Sequence, residues 1–417
     1  MTGFAPSMKK DGNILVITYW DFNEAHIQAN VLPNLKILST CIAPDAVIYL
    51  FCFNKRKITG AERVKLEQQL ASFRIRLLFF DYTHFGIRMI LRYGWLLPYL
   101  CLQVFRKRVS HLYAWCTTAG AIGYMVSVIT RKPLILESYE PHAEAMVENG
   151  YWHKGHYAYR ILSFFEKKQA QRAAYVIAAN SGMKSYVRER YKYSIPDGIF
   201  FSKPAMVDLN AFYPDEQLRQ EIRNKLGFRA SDVVCLYAGK FGGIYLKEEI
   251  FDFLKAAADH WGRRLKILLL TAHTKEEVLQ LAARAEVPGD HFTILFVNHQ
   301  EVPGYMRAGD FALCPVKPVP TKRYCTPVKD GEYWATGLPV LITPDISDDS
   351  GIIASTQTGA VLTGFSREEY DNAILELDQL LHQSRVLLTT RIRELAETHR
   401  NYSIAGRIYR AIYSPAK

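Results

Sequence analysis

The sequence lacks the cysteine pattern of a disulfide-stabilised or zinc-binding protein. Its seven cysteines are scattered over 417 residues, odd in number, and no two form a C-x-x-C pair. This argues against a disulfide framework and a zinc site, and it is typical of reduced thiols in the cytoplasm. Residues 1–12 have no apolar segment, so no secretory signal is expected. No run reaches the roughly 20 apolar residues that a membrane-spanning helix needs.

Acidic residues are too few to balance the basic ones, and the net charge is +11. Such an excess favours a polyanionic partner: nucleic acid, anionic lipid or a phosphorylated substrate. Zinc-finger spacing, an RNP-like aromatic motif and a dense arginine tract are all missing, which disfavours nucleic acid. A membrane surface or a phosphorylated substrate fits the composition better.

What is present describes an ordinary globular protein, with 49% hydrophobic and 22% charged residues. A chain of this length exceeds what one hydrophobic core usually supports, so two domains are expected. Strands alternate with helices, which predicts βαβ units and parallel sheets. The predicted strands cover residues 13–19, 46–53, 75–80, 111–115, 133–137, 174–179, 233–237, 266–271, 292–297, 311–315 and 339–342. The predicted helices cover residues 27–38 (with Pro33 as an interruption), 60–73, 247–261, 275–285, 301–308, 368–381 and 386 onward.

The proline-rich residues 195–214 interrupt this alternation and are predicted to be an interdomain linker. Two doubly wound units would then be joined with a cleft between them. Ligands of such folds bind at the carboxyl ends of the parallel strands.

Residues 326–340 predict a loop, a short helix ending in glycine and a strand. A helix N-terminus presents unsatisfied N–H groups and a partial positive charge, which suits a phosphate. Thr326 and Lys329 accompany these N–H groups, and Glu332 lies one turn further on, where a carboxylate could accept hydrogen bonds from a ribose. The segment therefore indicates a nucleotide site, although an ordinary corner with surface charges has the same pattern.

A second glycine-containing loop follows the strand at residues 233–237. Glycine lets the backbone approach a ligand closely at Gly239, and Lys240 and Lys247 could flank a diphosphate. The loop matches neither a Walker motif nor a G-x-G-x-x-G fingerprint. A plain turn with solvated lysines is an equally good interpretation.

Taken together, Gly239-Lys240 with Lys247, residues 302–315 and residues 326–340 resemble retaining GT-B glycosyltransferases in order and spacing, most closely glycosyltransferase family 4. Residues 207–214 are similar to that family's interdomain junction. The resemblance covers the second part of the chain well and the first part loosely. It implies two Rossmann-like domains facing across a cleft, at residues 1–205 and 206–389, with a helix over about 390–417 packing back on the first domain.

The resemblance also implies a nucleotide-sugar donor, no metal and no other cofactor. The implied donor-binding residues are Gly239, Lys240, Lys247, Asn298, His299, Thr326, Pro327, Lys329 and Glu332. One departure is important: the family carries a second acid eight residues before Glu332, and this sequence has Tyr324 there. The group that usually touches the donor sugar is therefore missing. Lys317, Lys322 and Arg323 surround this position and could instead meet a charged sugar, or they could be solvated.

Catalytic and acceptor groups are expected at strand ends of the first domain. The end of the fifth strand carries Glu137, with Glu140 and His142 just after it, where a histidine could polarise the donor sugar and an acid could orient an acceptor hydroxyl. Trp20, Asp21 and Asn23 after the first strand are the candidate acceptor wall. Transfer would proceed with retention, the leaving phosphate helping to deprotonate the acceptor, so neither a protein nucleophile nor a metal is implied.

Residues 87–108 combine apolar bulk, aromatic rings and basic ends, a pattern typical of an interfacial membrane helix and equally of a core helix. We expect a hexosyltransferase of polysaccharide or glycoconjugate synthesis, acting on a glycan or lipid-linked saccharide, cytoplasmic or peripheral at the inner membrane face. Two other interpretations stay open: a nucleotide-sugar epimerase on the same fold, and an inactive chain that serves as a binding partner.

Overall fold

The computed structural model describes residue 8 and residues 11–24, 26–55, 58–82, 87–298 and 300–413, with the backbone alone for 87–93. The chain forms two compact units. One contains Met1–Pro204 together with Tyr402–Lys417, and the other contains Ala205–Asn401.

The first unit is built on a seven-stranded parallel sheet with the order β3-β2-β1-β4-β5-β6-β7. Its strands are β1 (Asn13–Asp21), β2 (Ile48–Asn54), β3 (Ile75–Asp81), β4 (Val109–Trp115), β5 (Leu134–Tyr139), β6 (Tyr175–Ala178) and β7 (Phe200–Ser202). The central strands are almost continuously apolar because helices cover both faces of a parallel sheet.

Seven helices lie between these strands or follow them. They are α1 (Leu32–Cys41), α2 (Gly60–Leu70), α3 (Ile87–Arg106), α4 (Thr117–Thr130), α5 (His142–Glu148), α6 (Tyr157–Arg172) and α7 (Gly182–Tyr191). Helix α4 packs against both α3 and α6 on one face of the sheet, where a Cβ on Gly123 would contact Ala114 and Leu134. Leu35 and Leu38 of α1 belong to the core on the other face, with Ile14 and Val16.

The second unit has a six-stranded parallel sheet with the order β10-β9-β8-β11-β12-β13. Its strands are β8 (Val233–Ala238), β9 (Leu265–Leu270), β10 (Phe292–Leu295), β11 (Phe311–Cys314), β12 (Val340–Ile342) and β13 (Gly359–Val361). Its helices are α8 (Glu216–Lys225), α9 (Glu248–Trp261), α10 (Lys275–Arg284), α11 (Val302–Met306), α12 (Val328–Thr336), α13 (Asp349–Thr356), α14 (Arg367–Leu381) and α15 (Arg385–His399). This strand order is that of a Rossmann fold.

The structure confirms the predicted fold class: each unit is a Rossmann-like parallel sheet with flanking helices, the pair that makes up a GT-B protein. One local prediction was wrong. Residues 195–214 are not only a linker, because Phe200–Ser202 forms β7 and pairs with Val176 to Ala178 of β6. The prolines that suggested a linker lie outside these three residues and leave their backbone free to join the sheet.

The C-terminal segment also differs from a single helix over about 390–417. Helix α15 packs against α12 in the second unit, whereas α16 (Ser403–Tyr413) packs against α1 in the first. Tyr409 and Tyr413 of α16 are fully buried in the first unit's core. Residues 414–417 lie outside the described part of the chain. No helix in the described residues has the length and apolar character needed to cross a membrane.

Candidate functional site

Gly239 and Lys329 meet at the carboxyl end of β8. Gly239 has φ +149°, and a Cβ built on it would lie 2.6 Å from Lys329 Cε and 2.8 Å from Nζ. The glycine is therefore required both by its backbone conformation and by the lysine that fills the space beside it. Lys329 Nζ lies 3.9 Å from the ring centroid of Tyr245 and 5.6 Å from that of Tyr237. Two segments that were predicted separately are thus brought together at the point where the strand order of this sheet reverses.

Helix α12 begins without a side-chain cap. Its N-cap residue is Pro327, whose side chain cannot accept a hydrogen bond from the first backbone N–H groups. Uncapped N–H groups and the helix dipole favour an anion at this end. Thr326 lies just before the cap, and its hydroxyl is 3.2 Å from that of Ser347.

The Glu332 carboxylate lies one turn into α12 and is partly buried. It accepts no hydrogen bond and forms no salt bridge among the described residues. Loss of hydration raises its pKa to about 7, against the opposing pull of the Lys329 cation. A carboxylate that is desolvated and still has free acceptor positions is suited to binding hydroxyl groups of a ligand.

The remaining predicted donor residues surround this centre less closely. Lys240 is exposed, and its carbonyl oxygen accepts from the Tyr237 hydroxyl at 2.6 Å. Lys247 is the N-cap residue of α9, with its Nζ 3.5 Å from Glu248. Asn298 is exposed and its side chain donates to Glu301 at 3.1 Å. His299 lies outside the described residues.

A buried ionic cluster that the sequence did not suggest holds α12 in place. Arg400 donates to the Asp349 carboxylate at 2.5 Å, and both side chains are almost completely buried. Asp330, in the first turn of α12, is fully buried beside them, and burial with the Asp349 charge raises its pKa well above the usual value. A Cβ on Gly331 would lie 3.0 Å from Arg400 Cδ, so glycine there lets the guanidinium side chain pass close to the helix.

In the first unit, Glu140 and His142 lie together after β5. His142 Nδ1 is 3.3 Å from the Glu140 carboxylate, and about a third of each side chain is exposed. The Glu140 carbonyl accepts from the Thr117 hydroxyl at 2.7 Å, which ties this loop to the first turn of α4. A histidine beside an accessible carboxylate can accept, donate or stabilise a proton.

Glu166 of α6 binds the backbone of this loop, and the sequence analysis did not identify it. Its carboxylate accepts from the Ala143 backbone N–H at 2.8 Å and from the Tyr191 hydroxyl at 2.5 Å. Burial raises the pKa of Glu166 to about 7, while these two hydrogen bonds act in the opposite direction. A lone acid in a helix whose other charged residues are all basic is the signal that could have identified it.

His26 is a further missed residue. Its ring centroid lies 4.2 Å from that of Trp20, and burial lowers its pKa against the pull of Glu140 and Glu24. Its Nε2 is buried without a hydrogen-bond partner in the described structure. The structure therefore groups Trp20 and His26 with Glu140 at the carboxyl edge of the first sheet.

Glu137 and Asp21 have structural environments that do not match their predicted roles. Glu137 is fully buried, forms an ion pair with Lys203 at 2.7 Å and accepts from the Tyr113 hydroxyl. Its charge is already satisfied, which favours a structural role over the predicted catalytic one. Asp21 is also buried and accepts from the backbone N–H groups of Asn23 at 2.9 Å and Lys55 at 2.6 Å. It shapes the turn, and Asn23 remains exposed.

The described residues contain no group of three or more His, Cys, Asp and Glu side chains that converge as metal ligands would.

No protein-family model matches the sequence, and no curated protein matches it either. Solved structures do match over almost the full chain. HepE from Anabaena, in complex with UDP, has a TM-score of 0.69 at 15% identity over 97% of this chain and 100% of its own. WaaG, a glycosyltransferase involved in lipopolysaccharide biosynthesis, gives 0.68 at 15% identity, with the same 97% and 100% coverage. Sucrose-phosphate synthase from Thermosynechococcus elongatus gives 0.70 at 14% identity, again with 97% and 100% coverage. At these identities the similarity establishes the GT-B fold.

Proposed function

We propose that the protein is a glycosyltransferase that uses a nucleotide-diphosphate sugar. The observation that carries this proposal is the arrangement at the carboxyl end of β8. There Lys329 lies against Gly239, the N-terminus of α12 is uncapped, and the Glu332 carboxylate has free acceptor positions. The uncapped N–H groups, the Lys329 cation and the Glu332 carboxylate all lie within the first turn or so of α12. The N–H groups and the cation suit a phosphate, and the carboxylate beyond them suits hydroxyl groups.

The diphosphate would bind to the first N–H groups of α12 with Lys329 as counter-charge, and Gly239 would let the backbone approach it. Glu332 would accept hydrogen bonds from the ribose hydroxyls. Lys240 and Lys247 would add charge at the rim, and the backbone at Asn298 and His299 would receive the base. HepE was crystallised with UDP, with UDP and glucose, and with UDP-glucose, which supports a nucleotide sugar as the ligand here.

Transfer would proceed with retention, as in glycosyltransferase family 4. The bond between the sugar's anomeric carbon and the diphosphate oxygen breaks, and a bond to the acceptor oxygen forms on the same face. The acceptor proton passes to the departing phosphate oxygen, so no protein nucleophile or metal enters the step. His142 with Glu140 would stabilise the sugar and orient the acceptor hydroxyl. Trp20 and Asn23 would line the acceptor's position.

The acceptor would be a hydroxyl of a glycan or a lipid-linked saccharide, and the protein would work in the cytoplasm at the inner face of the membrane. WaaG and WaaB, the latter a lipopolysaccharide outer core galactosyltransferase, support surface-glycan synthesis as the setting. Tyr324 stands where glycosyltransferase family 4, which this chain resembles, carries an acid, so the identity of the sugar is left open.

Calorimetric titration with uridine, guanosine and adenosine diphosphates and their sugars tests the proposal. We expect one base to bind, and we expect Glu332→Gln and Lys329→Met each to weaken that binding at least tenfold. Glu376→Gln removes an exposed acid on α14, in the same unit, and should leave binding unchanged. Absence of binding by every nucleotide would favour the inactive interpretation and overturn the proposal.

Incubation of the protein with the nucleotide sugar that binds, without any acceptor, separates transfer from epimerisation. An epimerase would change the configuration of the sugar, because it needs no acceptor. We expect the sugar to remain unchanged, apart from slow hydrolysis that releases the nucleoside diphosphate. An epimerised product would overturn the transferase assignment while leaving the nucleotide site in place.

A further inference from the structure

Helices α3, α4 and α6 form one layer over the first sheet, and the outer side of this layer carries large apolar side chains. On α3, Trp95 is 75% and Phe105 is 64% exposed, and Leu102 between them is half exposed. Their spacing of seven and then three residues places the three side chains on one side of the helix. Leu96, Leu100 and Val104 are buried on the opposite side. Amphipathic packing thus accounts for the inner side of α3 but not for the outer one.

The neighbouring helices continue the same surface. Val128 and Ile129 of α4 are exposed, as are Ile161 and Phe164 of α6. Because α4 packs against both α3 and α6, these side chains share the outer side of one helical layer. We call this surface the α3–α4–α6 face, defined by Trp95, Leu102, Phe105, Ile129, Ile161 and Phe164. Contiguous exposed apolar surface on a folded protein marks an interaction site.

The exposed charges on α3 and α6 have one sign, and α4 carries no charge. Residues 82–136, which include all of α3 and α4, contain seven lysines and arginines and no aspartate or glutamate. The sole acid of α6, Glu166, is fully buried, so these three helices expose basic residues and no acids. An acidic residue would repel a negatively charged surface, and none is present on the helices that would meet it.

A basic cleft lies at the end of α3 beside the apolar residues. It has a volume of about 590 Å³ and is lined by Phe105, Arg108, Arg131 and Lys132, among others. On α6, Lys168 Nζ lies 5.6 Å from the ring centroid of Phe164. Lysine and arginine next to aromatic and aliphatic side chains combine attraction to anionic headgroups with insertion at the headgroup boundary.

We propose that the α3–α4–α6 face is a docking surface for an anionic lipid bilayer. Basic residues without exposed acids on these helices favour this occupant over a second copy of the chain, which would bring an equally basic face. The proposal goes beyond sugar transfer and needs no donor or acceptor for its test. Its failure would leave the proposed nucleotide site untouched, and failure of nucleotide binding would leave the docking surface untouched.

Cosedimentation of the full chain with vesicles provides the first test. Vesicles of phosphatidylcholine alone are compared with vesicles in which one third of the lipid is phosphatidylglycerol. We expect binding to the anionic vesicles to be at least tenfold tighter, and to weaken as salt is added because the charges are screened. Equal binding to the two kinds of vesicle, or no binding to either, would overturn the proposal.

Substitutions then locate the surface. Leu102→Gln with Phe105→Gln should weaken binding at least tenfold, with little change in melting temperature, since both side chains are exposed. Val386→Gln with Leu387→Gln is the matched control, because this exposed apolar pair lies on α15 of the second unit. Equal loss in the two pairs would refute the assignment to this face.

Charge is tested in the same way. Arg108→Gln with Arg131→Gln should lower binding to anionic vesicles, whereas Arg263→Gln with Arg264→Gln, an exposed pair in the second unit, should not. Gel filtration tests whether a second copy of the chain occupies the face instead. If the protein is a dimer that dissociates in the Leu102→Gln, Phe105→Gln variant, and vesicle binding does not change, the face is an interface between copies and the lipid assignment is overturned.

Discussion

The Glu166 carboxylate accepts a hydrogen bond from the backbone N–H of Ala143 at 2.8 Å, one residue after His142. A buried acid on α6 therefore fixes the first turn of the helix that begins at the candidate catalytic histidine. The Tyr139 hydroxyl donates to the Glu166 carbonyl at 2.8 Å, so the strand that precedes the loop is held by the same residue.

Glu166 should make stability depend on pH in an unusual direction. Its pKa is raised to about 7 in the folded protein, so the folded state holds this proton more strongly than the unfolded chain. The resulting stabilisation is fully present below the ordinary glutamate pKa and is lost as pH rises to about 7. Relative to Glu166→Gln, the free energy of unfolding should fall by about 3 kcal/mol across this range.

Denaturant titrations of the wild type and Glu166→Gln from pH 4 to 8 measure this difference, because the contributions of all other titrating groups to the free energy of unfolding cancel between the two proteins. Tyr191→Phe removes a hydrogen bond that favours the charged form, so it should move the transition to higher pH. Parallel pH curves for wild type and Glu166→Gln would show that Glu166 does not titrate in this range.

Glu332 should make nucleotide-sugar binding depend on pH. Its pKa is raised to about 7, and ribose hydroxyls would donate to the ionised carboxylate. Affinity should therefore rise about tenfold between pH 6 and 8, as the competent fraction grows from about a tenth to nine tenths. A nucleotide sugar is the right ligand, since its diphosphate lacks the terminal phosphate that titrates near 6. Glu332→Gln should bind more weakly and without this pH dependence, and a persistent dependence would exclude Glu332 as its source.

Gly239→Ala should damage the candidate donor site through Lys329. The new Cβ would lie 2.6 Å from Lys329 Cε and would displace that side chain. Gly242→Ala is the matched control, because Gly242 also has positive φ, +79°, but no atom within 4 Å of its Cβ position. Both substitutions should cost about 1–2 kcal/mol of backbone strain. Only Gly239→Ala should lower nucleotide affinity tenfold or more, and similar affinities in the two variants would contradict this.

Glu137→Gln should affect stability more than chemistry. The substitution leaves the Lys203 ammonium buried without its counter-charge, which costs about 3–5 kcal/mol. Adding Lys203→Met to Glu137→Gln removes the unpaired charge and should restore part of that loss in a double-mutant cycle. Unchanged stability with a large fall in turnover would instead support the catalytic role predicted from sequence.

The alternation of strands and helices was sufficient to predict both Rossmann-like sheets, because a buried parallel strand has a nearly continuous apolar sequence. Two short strands escaped prediction, β7 and β13, because each is only three residues long; β7 also lies among prolines. In the candidate site, the N-terminus of α12 and the position of Glu332 could be predicted from local spacing. The residues that contact α12 from distant parts of the sequence could not, because a side chain's direction is set by tertiary packing.

Lys329 and Lys240 illustrate this limit. The sequence suggested that Lys240 and Lys247 flank a diphosphate, yet Lys240 is exposed, and Lys329, ninety positions after Gly239, fills the space beside that glycine. Glu137 is similar: the predicted strand ended at this residue, but β5 continues to Tyr139, and the ion-pair partner Lys203 comes from a distant segment.

The second unit is one continuous segment, Ala205–Asn401, inserted between two parts of the first unit. The first unit's core needs Tyr409 and Tyr413 of α16, which are translated after that whole segment. Domains generally fold in the order in which they leave the ribosome. We expect the reverse order here: the later-starting unit can complete its core first, whereas part of the N-terminal unit's apolar surface stays uncovered until α16 has been synthesised.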